Sequence, residues 1–134
     1  FLWGFMGGNS VRNFLSVKYI RLPELLTDLS IARGSGIIRK VMAQYKKYTL
    51  LIIDEWLLYA LNETEARDVL EIIESRYKKA STIFCSQFDV PGWRDKLNDP
   101  ILADAICDRI VHDSYSILID CKDSMRKRKG LAEN

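Results

Sequence analysis

The apolar run Leu50-Leu51-Ile52-Ile53 is followed at once by two acids, Asp54 and Glu55. An apolar strand closing in Asp-Glu is the Walker B arrangement of nucleotide hydrolases. There the first acid holds the waters of Mg²⁺, and the second orients or polarises the attacking water. The bland alternative is that the acids solubilise a strand end and cap the next turn. A second run, Ser81-Thr82-Ile83-Phe84-Cys85, closes in Ser86 and Gln87. Either could hydrogen-bond the same water or a γ-phosphate from a rigid strand end, or simply begin a polar loop. Arg109 lies beside the stripe of Leu102, Ala105, Ile106 and Ile110. It could reach a neighbouring subunit's phosphates and offset charge developing in a transition state, or pair four residues on with Asp113.

The elements that must position these groups follow from pattern. Val17-Lys18-Tyr19-Ile20-Arg21 alternates apolar and charged residues and leads to Pro23, which predicts a strand followed by the first turn of a helix. Leu25, Leu26 and Leu29 form that helix's stripe, and residues 37–48, entered through Gly34-Ser35-Gly36, predict a second helix. The run ending at Asp54 reads as a strand buried on both faces of a parallel sheet. Asn62 caps a helix with Glu63 and Glu65 in its first turn and Ala66, Val69, Leu70, Ile73 and Tyr77 at helical spacing. Asp99-Pro100 opens another that runs to about His112, and a last strand is expected at residues 114–119. Alternating strands and helices predict an α/β layer architecture with a parallel sheet, whose ligands bind beyond the carboxyl ends of the strands.

With 134 residues the chain has room for one compact domain, and 48% hydrophobic with 28% charged residues is the balance of a soluble globular protein. Twenty basic against eighteen acidic side chains leave +2, so any nucleic-acid footprint must be local. The apolar runs are far short of the roughly 18 residues a membrane helix needs. Cys85, Cys107 and Cys121 form no CxxC pair and read as reduced, cytosolic packing residues, and His112, the sole histidine, reads as a helix end. The opening Phe1-Leu2-Trp3-Gly4-Phe5-Met6 does not read as a signal peptide, and a fragment of a longer chain is the expectation. Residues 1–123 would form the core and residues 124–134, with consecutive Arg126, Lys127, Arg128 and Lys129, a basic tail.

Taken together, the runs ending in Asp54-Glu55 and Ser86-Gln87, the segment from Asp99-Pro100 through Arg109 to His112, and Ser124-Met125-Arg126-Lys127 resemble the IstB-like AAA+ proteins. These are ATP-binding transposition helpers of insertion sequences, related to the helicase loader DnaC. The resemblance implies a three-layer parallel-sheet P-loop NTPase core, incomplete at the N-terminus. It also implies a cytoplasmic ATPase that uses ATP and Mg²⁺, oligomerises on DNA and hands a target site to a transposase. Asp54 and Glu55 would be Walker B, with Asp54 toward the metal. Ser86 or Gln87 would be sensor 1, Arg109 the arginine finger and Arg126 sensor 2. Arg33, Arg39 and Lys40 are the first candidates for holding DNA, against the alternative of a solvated helix face.

One departure matters. The family's phosphate grip is G-x-x-x-x-G-K-[ST], and a pattern begun at Gly4 fails at Asn9, Ser10 and Val11. Gly8-Asn9 instead looks like the stretch after the P-loop helix, so the grip is missing from this sequence, the expectation being either a truncated sequence or a decayed copy. A nest and lysine lost from the site remove most of the charge that holds a triphosphate, so weak ATP binding is expected of this chain alone. A missing strand would also expose its neighbour, which Phe1, Leu2, Trp3, Phe5 and Met6 would partly cover. The alternatives are a DnaC-like helicase loader, a non-catalytic module binding DNA or protein through its basic tail, and an inert remnant that fails to fold cooperatively.

Overall fold

Proline, asparagine and aspartate mark where the helices begin. In the computed structural model, described over residues 2–5, 16–112 and 115–117, strand β1 (Leu2–Phe5) precedes β2 (Val17–Arg21), which runs directly into α1 (Leu22–Gly34) with Pro23 in its first turn. Helix α2 (Ile38–Lys47) leads to β3 (Leu50–Asp54). Asn62 caps α3 (Glu63–Arg76) by accepting from the Glu65 N–H at 2.8 Å, while the Glu65 carboxylate accepts from the Asn62 N–H at 2.9 Å. After β4 (Ser81–Cys85) come α4 (Val90–Asp95), α5 (Pro100–Val111) and β5 (Tyr115–Ile117). Asp89 and Asp99 cap the two helices.

The sheet order is β2-β3-β4-β1-β5. β2, β3 and β4 are parallel, with Arg21 opposite Asp54 and Ile52 between Tyr19 and Ile83. β1 is antiparallel to both β4 and β5, so β5 runs the same way as β2, β3 and β4. The architecture is α/β, as expected. Two elements correct the sequence reading: the 2–5 segment is itself a strand, inserted against the grain of the sheet, and α4 forms where no helix was expected. Gly4 explains part of the first. A Cβ there would lie 2.6 Å from the Thr82 carbonyl oxygen, so only glycine lets β1 approach β4 this closely.

The helices pack in the sequence α1, α2, α3, α5, α4 as one layer. Ile20, Leu51, Ile53, Thr82 and Phe84 face it and are buried, and Leu25, Leu29, Val69, Ile73 and Ile106 meet them in a single core. Each such aliphatic side chain stabilises by about 1.5–3 kcal/mol relative to exposure. The residues between them on the strands point to the other face. Among the described residues no helix is long and apolar enough to cross a membrane. The basic tail with Arg126, Cys121 and the Gly8-Asn9 stretch lie outside the described residues.

Arg76, the last residue of α3, is wholly buried. Its guanidinium donates to Thr82 Oγ1 at 2.9 Å and to the carbonyls of Tyr45 (3.0 Å), Tyr48 (2.6 Å) and Ser81 (2.5 Å). One side chain thereby ties the end of α2 to the start of β4. Burial pushes its pKa down to about 10, which leaves it charged at neutral pH.

Two groups tie stability to alkaline pH. Burial, then the hydrogen bond to Asp28, raises the Tyr45 hydroxyl above the ordinary tyrosine range, and burial raises the Cys107 thiol. Folding therefore favours the neutral form of both. That contribution is whole below the unfolded values, about 8.5 for a thiol and about 10 for a phenol, and is lost as pH climbs through the raised folded values. The midpoint of thermal unfolding is expected to fall from about pH 8.5 upward, and Tyr45→Phe to flatten the part of that decline above about pH 10. A midpoint insensitive to pH in this window would contradict the assignment.

Candidate functional site

Three parallel strands deliver their carboxyl ends to one edge of the sheet, and the acid pair is there. Asp54 is the last residue of β3, in a row with Arg21 on β2. Its Oδ1 accepts from the Glu55 N–H at 2.8 Å, and its Oδ2 accepts from the Tyr19 hydroxyl. Glu55 turns the chain sharply, with φ of 53°, a left-handed conformation costly for a residue with a side chain. Two contacts hold it: the Trp56 N–H donates to the Cys85 carbonyl at 2.8 Å, and the Leu58 N–H to the Glu55 carbonyl at 3.2 Å. The Glu55 carboxylate lies 3.5 Å from Arg21, which also binds Glu24 at 2.5 Å. Glu24 first and Glu55 after it hold the Arg21 guanidinium above its ordinary value, and the Asp54 hydrogen bond raises the Tyr19 phenol.

One strand over, the structure separates the two polar candidates. Ser86 is buried, and its hydroxyl donates to the Trp56 carbonyl at 3.1 Å while accepting from Trp93 Nε1 at 2.9 Å and the Phe88 N–H at 3.1 Å. It fastens the turn after the acids to α4. Gln87 is exposed beside it, free to meet a ligand.

Arg109 lies at the other end. α3 and α5 both run from the carboxyl ends of the strands back toward their amino ends, and Arg109 is near the finish of α5. Its guanidinium stacks 4.6 Å from the Tyr77 ring and lies 4.0 Å from Glu74, both at the α3 terminus. It therefore lies at the opposite end of the sheet from the acids of its own chain. Asp113, its possible partner in sequence, is outside the described residues.

The three basic candidates also differ. Arg33 binds both carboxylate oxygens of Asp68 at 2.8 and 3.0 Å and so braces α1 against α3. Arg39 and Lys40 are exposed in the first turn of α2, and Lys47 is exposed on the same face two turns on.

A groove of about 410 Å³ beside Glu55, between α1 and the 55–61 turn, is lined by Leu22, Leu26 and Ile31 with Glu55 and Glu65. Its floor is apolar and its rim acidic. Among the described residues no three His, Cys, Asp or Glu side chains cluster to hold a metal ion. Asp54 nevertheless keeps a lone pair on each oxygen beyond the hydrogen bonds above. That donor set fits a hydrated Mg²⁺ held chiefly by phosphates, which needs one or two carboxylates from the protein.

Sequence reasoning missed Tyr19, Arg21 and Trp56 as partners of the acids. The alternation in β2 held the signal, because residues two apart on an adjacent parallel strand share the face of Asp54.

Comparison with known proteins supplies the lineage. The family model described as IstB-like ATP binding protein matches residues 1–132. Two proteins of Sinorhizobium fredii named as insertion sequence ATP-binding proteins are each 38% identical, over 124 and 128 residues, which is 92% and 96% of this chain and 51% of each relative. A protein of Bacillus thuringiensis named as the ATP-binding protein of insertion sequence IS232 is 33% identical over 104 residues, 78% of this chain and 42% of its own length. The chain thus spans about half the length of these curated relatives. Among the described residues the α/β fold, with three parallel strands and five helices, is consistent with a partial P-loop NTPase core, and the chain belongs to the IstB-like ATP binding protein family.

Proposed function

We propose that this chain is the acid-pair and sensor portion of an ATP-binding AAA+ helper of DNA transposition, which assembles into oligomers on target DNA and delivers it to a transposase. The observation that carries the reading is the placement of Asp54 and Glu55 at the carboxyl end of a central parallel strand, with exposed Gln87 one strand over. In this reading residues 1–123 are the ATPase core and residues 124–134 a basic tail, with Arg126 assigned the sensor 2 role. Mg²⁺, when bound, would neutralise charge on the β- and γ-phosphates. Asp54 would hold the ion's waters, Glu55 would orient the attacking water, and Gln87 rather than Ser86 would meet that water or the γ-phosphate. Arg109 serves the site of the next subunit after release from Tyr77 and Glu74.

No G-x-x-x-x-G-K-[ST] occurs in this sequence, so the chain by itself binds ATP weakly. The test is ATP turnover by the purified chain, expected to stay at background. Turnover abolished by Glu55→Gln would overturn the weak-binding part and establish the acid's role. In-frame DNA upstream of the Phe1 codon encoding the grip after an apolar strand would place these residues in an intact ATPase.

DNA contact is assigned to Arg39 and Lys40 before Arg33, since Arg33 is engaged by Asp68. Arg39→Glu with Lys40→Glu is expected to weaken binding to duplexes of unrelated sequence alike. It should also lower the slope of log affinity against log salt by roughly 2, about 0.9 for each phosphate that the two cations neutralise. An unchanged slope would exclude this face.

A further inference from the structure

We propose that Tyr19 is the positioning residue of Asp54: its phenol fixes the plane of that carboxylate and leaves its charge intact for a hydrated divalent cation. The proposal rests on the acid-pair reading above. Register places Tyr19 opposite Ile52 and Arg21 opposite Asp54, so Tyr19 and Asp54 are diagonal neighbours on one face of adjacent strands. A tyrosine is long enough to span that diagonal, and its hydroxyl donates to Asp54 Oδ2. The Glu55 N–H holds the other oxygen. Donors on both oxygens stop the carboxylate from turning about its last torsion, a bond that is otherwise loosely set.

The chemistry of the two donors near the acids is divided. Glu55 lies against the cationic Arg21, whereas Asp54 receives a neutral hydroxyl. An arginine on Asp54 would cancel the charge a cation needs; a phenol orients it and cancels nothing. Tyr19 is 56% exposed, so its ring contributes little to the core. Its hydroxyl is therefore explained better by what it holds than by packing. Hydrogen-bonded partners of ligating carboxylates commonly set metal affinity by 10- to 100-fold.

The experiment titrates Mn²⁺ alone into the purified chain and reads free Mn²⁺ by electron paramagnetic resonance, for the unaltered protein, Tyr19→Phe, Asp54→Asn and, as a control on the same surface, Glu24→Gln. Asp54→Asn is expected to remove Mn²⁺ uptake and Tyr19→Phe to weaken it roughly tenfold, with the thermal midpoint of Tyr19→Phe unchanged and Glu24→Gln close to the unaltered protein. If Asp54→Asn removes uptake and Tyr19→Phe leaves it intact, the role of Tyr19 is overturned and that of Asp54 stands. If Asp54→Asn has no effect, the acid reading and the proposal fall together. A measurement without substitutions is independent of these. Mn²⁺ should broaden the ring resonances of Tyr19 before those of Tyr77 at the opposite end of the sheet, and the reverse order would overturn the proposal.

Discussion

Arg76→Ala is expected to lower unfolding stability by about 3–5 kcal/mol, measured by urea denaturation at neutral pH. The substitution deletes charge-assisted hydrogen bonds and strands the buried Tyr45 carbonyl and Thr82 hydroxyl and the half-buried carbonyls of Tyr48 and Ser81. Each abandoned buried acceptor costs about 1–3 kcal/mol, and partial collapse of the site recovers some of it. Arg76→Lys should recover little, because an ammonium cannot span acceptors arranged around a planar fork. A loss below about 1 kcal/mol would show that the four acceptors find other partners.

Trp56→Ala is expected to cost a similar 3–5 kcal/mol by leaving a cavity. The ring is fully buried, edge-on to Phe84 at 4.7 Å and to Trp93 at 6.2 Å. Trp56→Phe should cost far less. Among the described residues the Trp56 Nε1 is a buried donor without a hydrogen-bond partner, and phenylalanine removes that unpaired group along with part of the ring. Comparing the two variants by thermal unfolding separates volume from polarity; equal losses would mean that the indole N–H is satisfied in solution. Since Trp56 anchors the turn at Glu55, the alanine variant should also disorder the acid.

Much of this was legible before any coordinates. Leu50-Leu51-Ile52-Ile53 carries its strand and its acidic end within six residues, although only Leu51 and Ile53, on the face under the helices, are buried where burial on both faces was expected, and Asn62, Asp99 and Pro100 announce helices by local chemistry that distant packing does not override. What stayed hidden depends on partners far along the chain. The four residues of β1 have no periodicity to read, and their role is set by β4 and β5. Helix α4 opens Val90-Pro91-Gly92, a run whose proline and glycine read as a loop; its helix is fastened by Trp93 to Ser86 and Phe88. Arg76 reads as one more surface charge at a helix end, because nothing local marks the carbonyls of α2 that converge on it. At the candidate site the acids and Gln87 are singled out by type and position, whereas the difference in burial between Ser86 and Gln87 needed the fold, and Tyr19 needed the register of β2 on β3.

The strand inserted between β4 and the edge strand β5 carries a consequence for how the chain is made. β1 is synthesised before every element it touches, yet its partners are residues 82–85 and 115–117. At about 5–20 residues per second the ribosome leaves that strand waiting several seconds for β4 and longer for β5. Through that interval both edges of β1 are a template for any extended segment nearby, including the same strand of another nascent copy. Pairing between such distant segments is slow to form, so the β1-β5 side of the sheet is the last part to close and the part most open to exchange between chains.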